Sequence, residues 1–470
     1  MAENAVIDAR AVLARAAALA ADHIEGRRRT TVTRQFAEAE IDARLAAYDL
    51  QTPRAPEAVI ADIFEWLGSY AVRSDHPRYF GLFNPPALVP AIAGDLVTAT
   101  VNPQLAVWSH APAAVAIERK LIALFCSFIW ATGDAAGTFT SGGSEANQTA
   151  LLAALARRYP EWDRHGVPSG RRRPAIYASL ESHLAWIKIA RGAGLGSDAV
   201  RLVAAADGLR LTREALAAAI AQDVDRDPVL VVATAGTTAH GAIDDLAGIV
   251  AVGRTHNAHV HVDAAWAGGA MIDPAKRALF AGIELADSVT IDPHKWLAVP
   301  MGAGLYLARD WAPLARAFGA TTGYMPSASH ARRDPYIHSL QWSRRFIGGK
   351  LFAALATLGL DGYREMIGRQ FALGERLRRA LGDDGWTILN DTPLPLVCFA
   401  PPDAGDKIVR AIEAAVVASG QAWLSSVRLR NRLALRACIT GFETNEDDVA
   451  ALVSQLAQAR RAAGSTGESR

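Results

Sequence analysis

Residues Ala286 to Gly304 read ADSVTIDPHKWLAVPMGAG, and the fold turns on how that stretch is built. The run Ser288 to Ile291 is β-branched and alternating, the composition of a short strand. Pro293 has no N–H to give to a sheet ladder, so the strand should end near Asp292. Lys295 is then expected at the C-terminal mouth of a strand, and open α/β sheets bind their ligands outside such mouths. A lysine there is either a charged rim residue, the usual place for lysine, or a covalent anchor inside a cleft.

Outward from this stretch the same grammar repeats. Past Gly133, short apolar runs (AIYASL, DAVRLVAA, PVLVVATAG, AHVHVDAAW, DSVTIDP, AGLYLAR) alternate with Ala/Leu-rich helical stretches. Strands separated by helices predict βαβ units, hence an α/β fold with a mainly parallel central sheet. Helical periodicity extends to about Tyr70, broken by Pro53 and Pro56, and predicts a helical arm. A long helix is expected from RRFIGGKLFAALATLG, after which TPLPLVCFAPP and RLALRACIT supply strands among helices. The expected division is an N-terminal helical arm over 1–75, a large α/β domain over 76–350, a small C-terminal α+β domain over 351–463 and a disordered tail over 464–470.

The 470 residues exceed what one hydrophobic core serves. Hydrophobic residues make up 51% and charged residues 21%, with a formal net charge of +1, so there is no long-range field to attract nucleic acid. The Arg171 to Arg173 run lies between turn residues and a strand and is read as a solvated loop. Cys126, Cys398 and Cys438 sit far apart in apolar contexts, as small core hydrophobes in a reducing compartment. The Ala-rich N-terminus carries Glu3, Asp8 and Asp22, which argue against a transit peptide, and no apolar run is long enough to span a membrane. A cytoplasmic location is expected, with no nucleic-acid or membrane partner.

The stretch Thr138 to Ala156, TFTSGGSEANQTALLAALA, puts a Gly/Ser turn ahead of strong helix formers. A helix beginning near Ser144 offers free N–H groups and a positive dipole end to an anion such as phosphate. In NAHVHVDAAWAGG, His259, His261 and Asp263 alternate and therefore share one face of a strand. Either the three approach a metal, or Asp263 alone acts, with its carboxylate against a cationic ring nitrogen and His259 satisfied in the core. A phosphate-binding helix end, a carboxylate for a pyridinium nitrogen and a lysine for an aldehyde are together the anchors that pyridoxal phosphate requires. That reading assigns no metal.

With those residues in view, the chain resembles the group II pyridoxal phosphate-dependent amino acid decarboxylases, which include aromatic-amino-acid, glutamate and histidine decarboxylases. The likeness runs in order through DHPRYF, SGGSEAN, SHLAWIKIA, ATAGTTAHGAIDD, HVDAAWAGG, DPHKWL, QWSRRFIGGKLFAAL and LRACIT. It implies an aspartate aminotransferase-like fold of type I and a homodimer with shared active sites. By match to the motifs, Gly143 and Ser144 would bind the phosphate, with His294 and Asp292 near it. His183 would stack on the cofactor ring, Thr238 would hydrogen-bond the cofactor, Asp263 would pair with the ring nitrogen and Lys295 would hold the aldehyde. Asp292 stands where the animal aromatic enzymes carry Asn, and an acid is less favourable beside a phosphate. The segment from Phe318 to Pro335 is Gly/Ser-rich and looks like a lid. Its Tyr324 resembles the tyrosine that protonates the substrate carbon once carbon dioxide has left.

The resemblance places the substrate against Phe83, Pro85, Gln104 and Arg436, with Gln104 contributed by the partner subunit and Arg436 matching an arginine associated with a substrate carboxylate. Phe83, Trp108 and His183 offer stacking surfaces, so α-decarboxylation of an aromatic L-amino acid is the favoured expectation. The alternatives are an acidic or small polar substrate, or a carbon–carbon lyase or aldehyde synthase on the same cofactor.

Overall fold

In a computed structural model of the chain, the described residues are 7–131, 136–205, 209–320 and 334–465. Tyr324 and residues 466–470 of the tail lie outside them, whereas the last helix, Glu446–Ser465, runs into the part expected to be tail.

The central sheet has seven strands: β1 (Ala136–Thr140), β2 (Arg173–Ser179), β3 (Val200–Val203), β4 (Arg226–Thr234), β5 (His259–Asp263), β6 (Ser288–Ile291) and β7 (Gly304–Ala308), in the order β1-β7-β6-β5-β4-β2-β3. The pairs from β6 through β5, β4 and β2 to β3 are parallel, and β7 alone runs against its neighbours β6 and β1. This is the aspartate aminotransferase-like type I architecture that the motifs implied. β6 is buried at all four positions, as a central strand with both faces covered must be. It ends at Ile291, directly before Asp292 and Pro293.

One strand carries a proline, as the run PVLVVATAG predicts, and one residue departs from expectation. β4 contains Pro228, which the sheet tolerates because the register shifts between Ala175 and Ile176 on the neighbouring β2. Arg173, expected in a loop, opens β2 as its one exposed residue.

The second sheet is antiparallel: β8 (Thr387–Ile388), β9 (Leu396–Ala400), β10 (Ser425–Leu429) and β11 (Arg432–Cys438), in the order β10-β11-β9-β8. It has its own core, in which Phe80 packs with Phe399, Leu435 and Leu452, so the DHPRYF segment belongs to this unit by its contacts. The 36-residue helix Gly348–Asp383 joins the units, with Gly359 non-helical inside it. At the N-terminus, helices Ala9–Gly26, Glu38–Ala46 and Pro56–Ser69 bury no residue fully. Backbone Val32 N–H donates to Gly420 O at 2.7 Å, and Arg28 pairs with the buried Asp448, tying this region to the second unit. Among the described residues no helix is long and apolar enough to cross a membrane.

Candidate active site

The helix Gly143–Arg158 follows β1, and its first N–H groups have no intrahelical acceptor. A Cβ on Gly143 would lie 2.8 Å from Asp292 Oδ2, so a larger residue here would have to displace that carboxylate. The opposite wall is the turn after β6. Lys295 Nζ lies 2.9 Å from Asp292 Oδ2, while Asp292 Oδ1 is buried with no partner among the described residues. The turn is pinned from behind by the long helix: Trp296 Nε1–H donates to Gln370 at 2.6 Å and Tyr363 O–H donates to Leu297 O at 3.1 Å. Buried hydrogen bonds of this kind contribute about 1 kcal/mol each. His294 accepts the Ala303 N–H at Nδ1, 3.2 Å away, which leaves its other nitrogen protonated, and burial holds its pKa below the usual value.

Asp263 ends β5 between β4 and β6. Its two oxygens accept from Asn147 Nδ2 at 2.8 Å and from Ala265 N–H at 3.1 Å. His183 accepts the Ala185 N–H at 3.2 Å, which fixes its ring. Thr238 is presented by a turn that folds back through Gly236 N–H and Thr237 N–H onto Ala242 O. Gly236 has φ +97°, and a Cβ on it would crowd Ala267 at 2.7 Å, so the turn closes only with glycine.

Gly143, Ser144, His183, Thr238, Asp263, Asp292, His294 and Lys295 all line one cavity of about 280 Å³. A larger cavity of about 440 Å³, lined in part by Trp108, Glu118 and Arg344, contains none of them. Of the residues expected to meet substrate, Arg436 approaches the cavity through Thr238, whose carbonyl accepts its Nε–H at 3.0 Å. Its Nη1 donates to Gly81 O at 2.6 Å, and its Nη2 is buried with no partner among the described residues. Pro85 is half-buried. Gln104 is exposed and bound to Ser343 and His110, away from this chain's own cavity. Sequence reasoning missed Asn147 and Trp266, both of which line the cavity. Asn147 stands three residues after Ser144, a spacing that keeps it on the same helix face, and that signal was present in SGGSEAN.

The expected stacking surface at Phe83 is not available. Phe83 is 4% exposed, lies parallel to Trp266 with centroids 4.3 Å apart at 10°, and carries the Arg436 guanidinium 4.9 Å from its centroid. The alternative of a metal at His259 and His261 also meets a different arrangement. Both rings bond the Ser288 hydroxyl at 2.8 Å, and among the described residues no group of three or more His, Cys, Asp or Glu could hold a metal ion.

Burial lowers His259 to about 4 and His261 to about 3. In the unfolded chain both would titrate near 6.5, so between pH 6.5 and 4 the unfolded state binds more protons and stability falls with pH. The expected loss is about 2 kcal/mol per histidine at pH 5 relative to pH 7.5. Thermal unfolding from pH 7.5 to 5 measures it, and the slope should flatten in His261→Gln; an unchanged slope in that variant would show that His261 is not buried neutral.

A helix N-terminus with free N–H groups, a lysine at a strand mouth and a carboxylate held on two donors line one cavity, and the residues present fit pyridoxal phosphate. The chain belongs to the pyridoxal-dependent decarboxylase family, whose conserved domain matches residues 43–401. It is an amino acid decarboxylase, a carboxy-lyase with pyridoxal 5'-phosphate as cofactor. It is 30% identical over 415 residues to the L-2,4-diaminobutyrate decarboxylase of Rhizobium meliloti, covering 86% of this chain and 82% of the relative. It is 32% identical over 350 residues to the cysteine sulfinic acid decarboxylase of Rattus norvegicus, covering 72% and 70%. Among solved structures, mouse CSAD superposes with a TM-score of 0.89 at 26% identity, covering 97% of this chain and 99% of that one.

Proposed function

We propose that the chain decarboxylates an acidic or small polar L-amino acid, the alternative to the aromatic substrate first favoured. The observation that carries this reading is Phe83 buried against Trp266 with the Arg436 guanidinium over its ring, and Arg436 bonded to the cavity-lining Thr238 while its Nη2 has no partner among the described residues. An aromatic side chain finds little free ring face at Phe83, whereas a carboxylate or sulfinate brought to Arg436 would meet a charged donor. The two relatives compared, which act on cysteine sulfinic acid and 2,4-diaminobutyrate by name, support small polar substrates.

Bound pyridoxal phosphate supplies the electron sink that takes the pair released when the Cα–carboxylate bond breaks. In this reading Lys295 would hold the aldehyde, and its Nζ could carry a proton. Asp263 would pair with the ring nitrogen, and His183 would cover the ring. Gly143 and Ser144 N–H groups hold the phosphate with His294, Thr238 donates to the cofactor, and Asp292 orients Lys295 through its ion pair. The proton that replaces the carboxylate is assigned to Tyr324, which favours amine over aldehyde as product.

Carbon dioxide release from a panel of acidic, small polar, basic and aromatic amino acids tests the substrate class. The expected outcome is turnover confined to the first two groups and a fall of about 10–100-fold in kcat/KM in Arg436→Met, the worth of a charge-assisted hydrogen bond. Preferential turnover of an aromatic amino acid would reject this reading.

A homodimer with shared sites is also proposed. Helix Val89–Val101 turns Leu96, Val97 and Val101 outward, with Val97 61% and Val101 69% exposed. An apolar stripe of this kind on a helix face suits a second copy of the chain. Sedimentation should give a dimer for the parent and a monomer for Val97→Asp/Val101→Asp; a monomeric parent would refute the dimer.

A further inference from the structure

The carboxylate of Asp263 is the end of a buried chain of hydrogen bonds whose polarity can be assigned. An ionised Asp263 only accepts, so Asn147 must present its amide N–H₂ to Oδ2, 2.8 Å away. Asn147 Oδ1 then faces the other way and needs donors. It has two: Thr290 Oγ1–H at 2.9 Å and His261 Nε2–H at 3.1 Å. With Nε2 protonated, His261 Nδ1 accepts the Ser288 hydroxyl at 2.8 Å, and Ser288 Oγ in turn accepts His259 Nε2–H at 2.8 Å.

Every donor in the series His259, Ser288, His261, Asn147 thus points toward Asp263. The parallel register that sets His261 opposite Ser288, and Asp263 opposite Thr290, builds this series into adjacent strands β5 and β6, with Asn147 reaching in from the helix above. Asn147 is 2% exposed, and His261, Ser288 and Thr290 are fully buried, so water does not compete for these bonds.

We propose that Asn147 is a positioning residue for Asp263, itself oriented by His261 and Thr290, and that this series keeps the Asp263 carboxylate aimed at the ring nitrogen of pyridoxal phosphate. The proposal rests on the reading of Asp263 as the partner of that nitrogen. A neutral packing role for the same side chains would need no common polarity. The chain would do more than fill space: removing a donor from a carboxylate raises its affinity for a proton, and the proton shared with the ring nitrogen is held there less firmly. A ring that carries less positive charge also repels a proton less at the nitrogen joined to Lys295, so the pH midpoint of the visible absorbance band moves upward.

The test compares Asn147→Leu, Thr290→Val and Asp263→Asn with the parent, using the dissociation constant of pyridoxal phosphate from titration of the stripped protein and the pH titration of the visible band of each holoenzyme. Asn147→Leu is expected to weaken cofactor binding about tenfold and move the midpoint upward, the loss of one hydrogen bond to a charged group. Thr290→Val, nearly isosteric and suited to a strand, should move both in the same direction by less, and it keeps the test open if Asn147→Leu does not fold. Asp263→Asn should exceed both. If Asn147→Leu and Thr290→Val bind cofactor within twofold of the parent with the midpoint unmoved, while Asp263→Asn changes both, the positioning role is wrong and the reading of Asp263 stands. If Asp263→Asn changes neither, that reading fails and the proposal fails with it.

Discussion

Lys295→Ala is expected to reduce decarboxylation by about 10³-fold or more, the combined loss of a covalent anchor and of a proton carrier. The reason is local. Lys295 reaches the cavity from a turn set by Pro293 and pinned through Trp296 to Gln370 and through Leu297 to Tyr363, so no other lysine can take over its position. Lys276, the nearest lysine along the sequence, sits with its ammonium over the Phe371 ring, and Lys350 donates to Pro300 O and Met301 O. The variant should fold, since Lys295 is partly exposed and its one ionic partner among the described residues is Asp292. Steady-state carbon dioxide release under saturating cofactor measures the effect. A variant with more than a tenth of the parental rate would remove Lys295 from the chemistry.

Asp263→Ala is expected to cost about 10²–10³-fold in kcat, the size of effect seen when an aligned electrostatic partner is removed from a buried site. Both carboxylate oxygens are already engaged on their outer sides by Asn147 and Ala265, which leaves the group rigid and directed. Its removal also leaves Asn147 Nδ2 without its acceptor, so thermal stability should fall by about 1–3 kcal/mol. Single-turnover measurement with saturating pyridoxal phosphate separates the loss of chemistry from loss of cofactor. A kcat within threefold of the parent would exclude a role for Asp263 at the ring nitrogen.

Much of this was legible in the sequence because the relevant signals are local. Ser288 to Ile291 followed by Asp and Pro specified both a strand and where it ends, and that placed Lys295. SGGSEAN specified a helix start, and alternation in HVHVD placed Asp263 at a strand's end. What could not be read there depends on partners distant in the chain. Nothing near Phe83 in sequence announces that Trp266 and Arg436 would occupy its two faces, so an aromatic ring was taken for a free surface. His259 and His261 looked equally suited to a metal because their deciding partners, Ser288 and Asn147, lie on another strand and on a helix. β1 was overlooked as a strand of its own because AGTFT carries glycine and threonine in place of an apolar run, and only its pairing with β7 reveals it.

The anchoring of the cofactor can be tested chemically. Borohydride reduction of the purified holoenzyme, followed by proteolysis and mass mapping, should fix a phosphopyridoxyl group on the peptide containing Asp292-Pro293-His294-Lys295, with the mass increment on Lys295. A label on Lys350, Lys188 or any other lysine, or no label in a protein that decarboxylates amino acids, would contradict the assignment of Lys295 on which the site has been built.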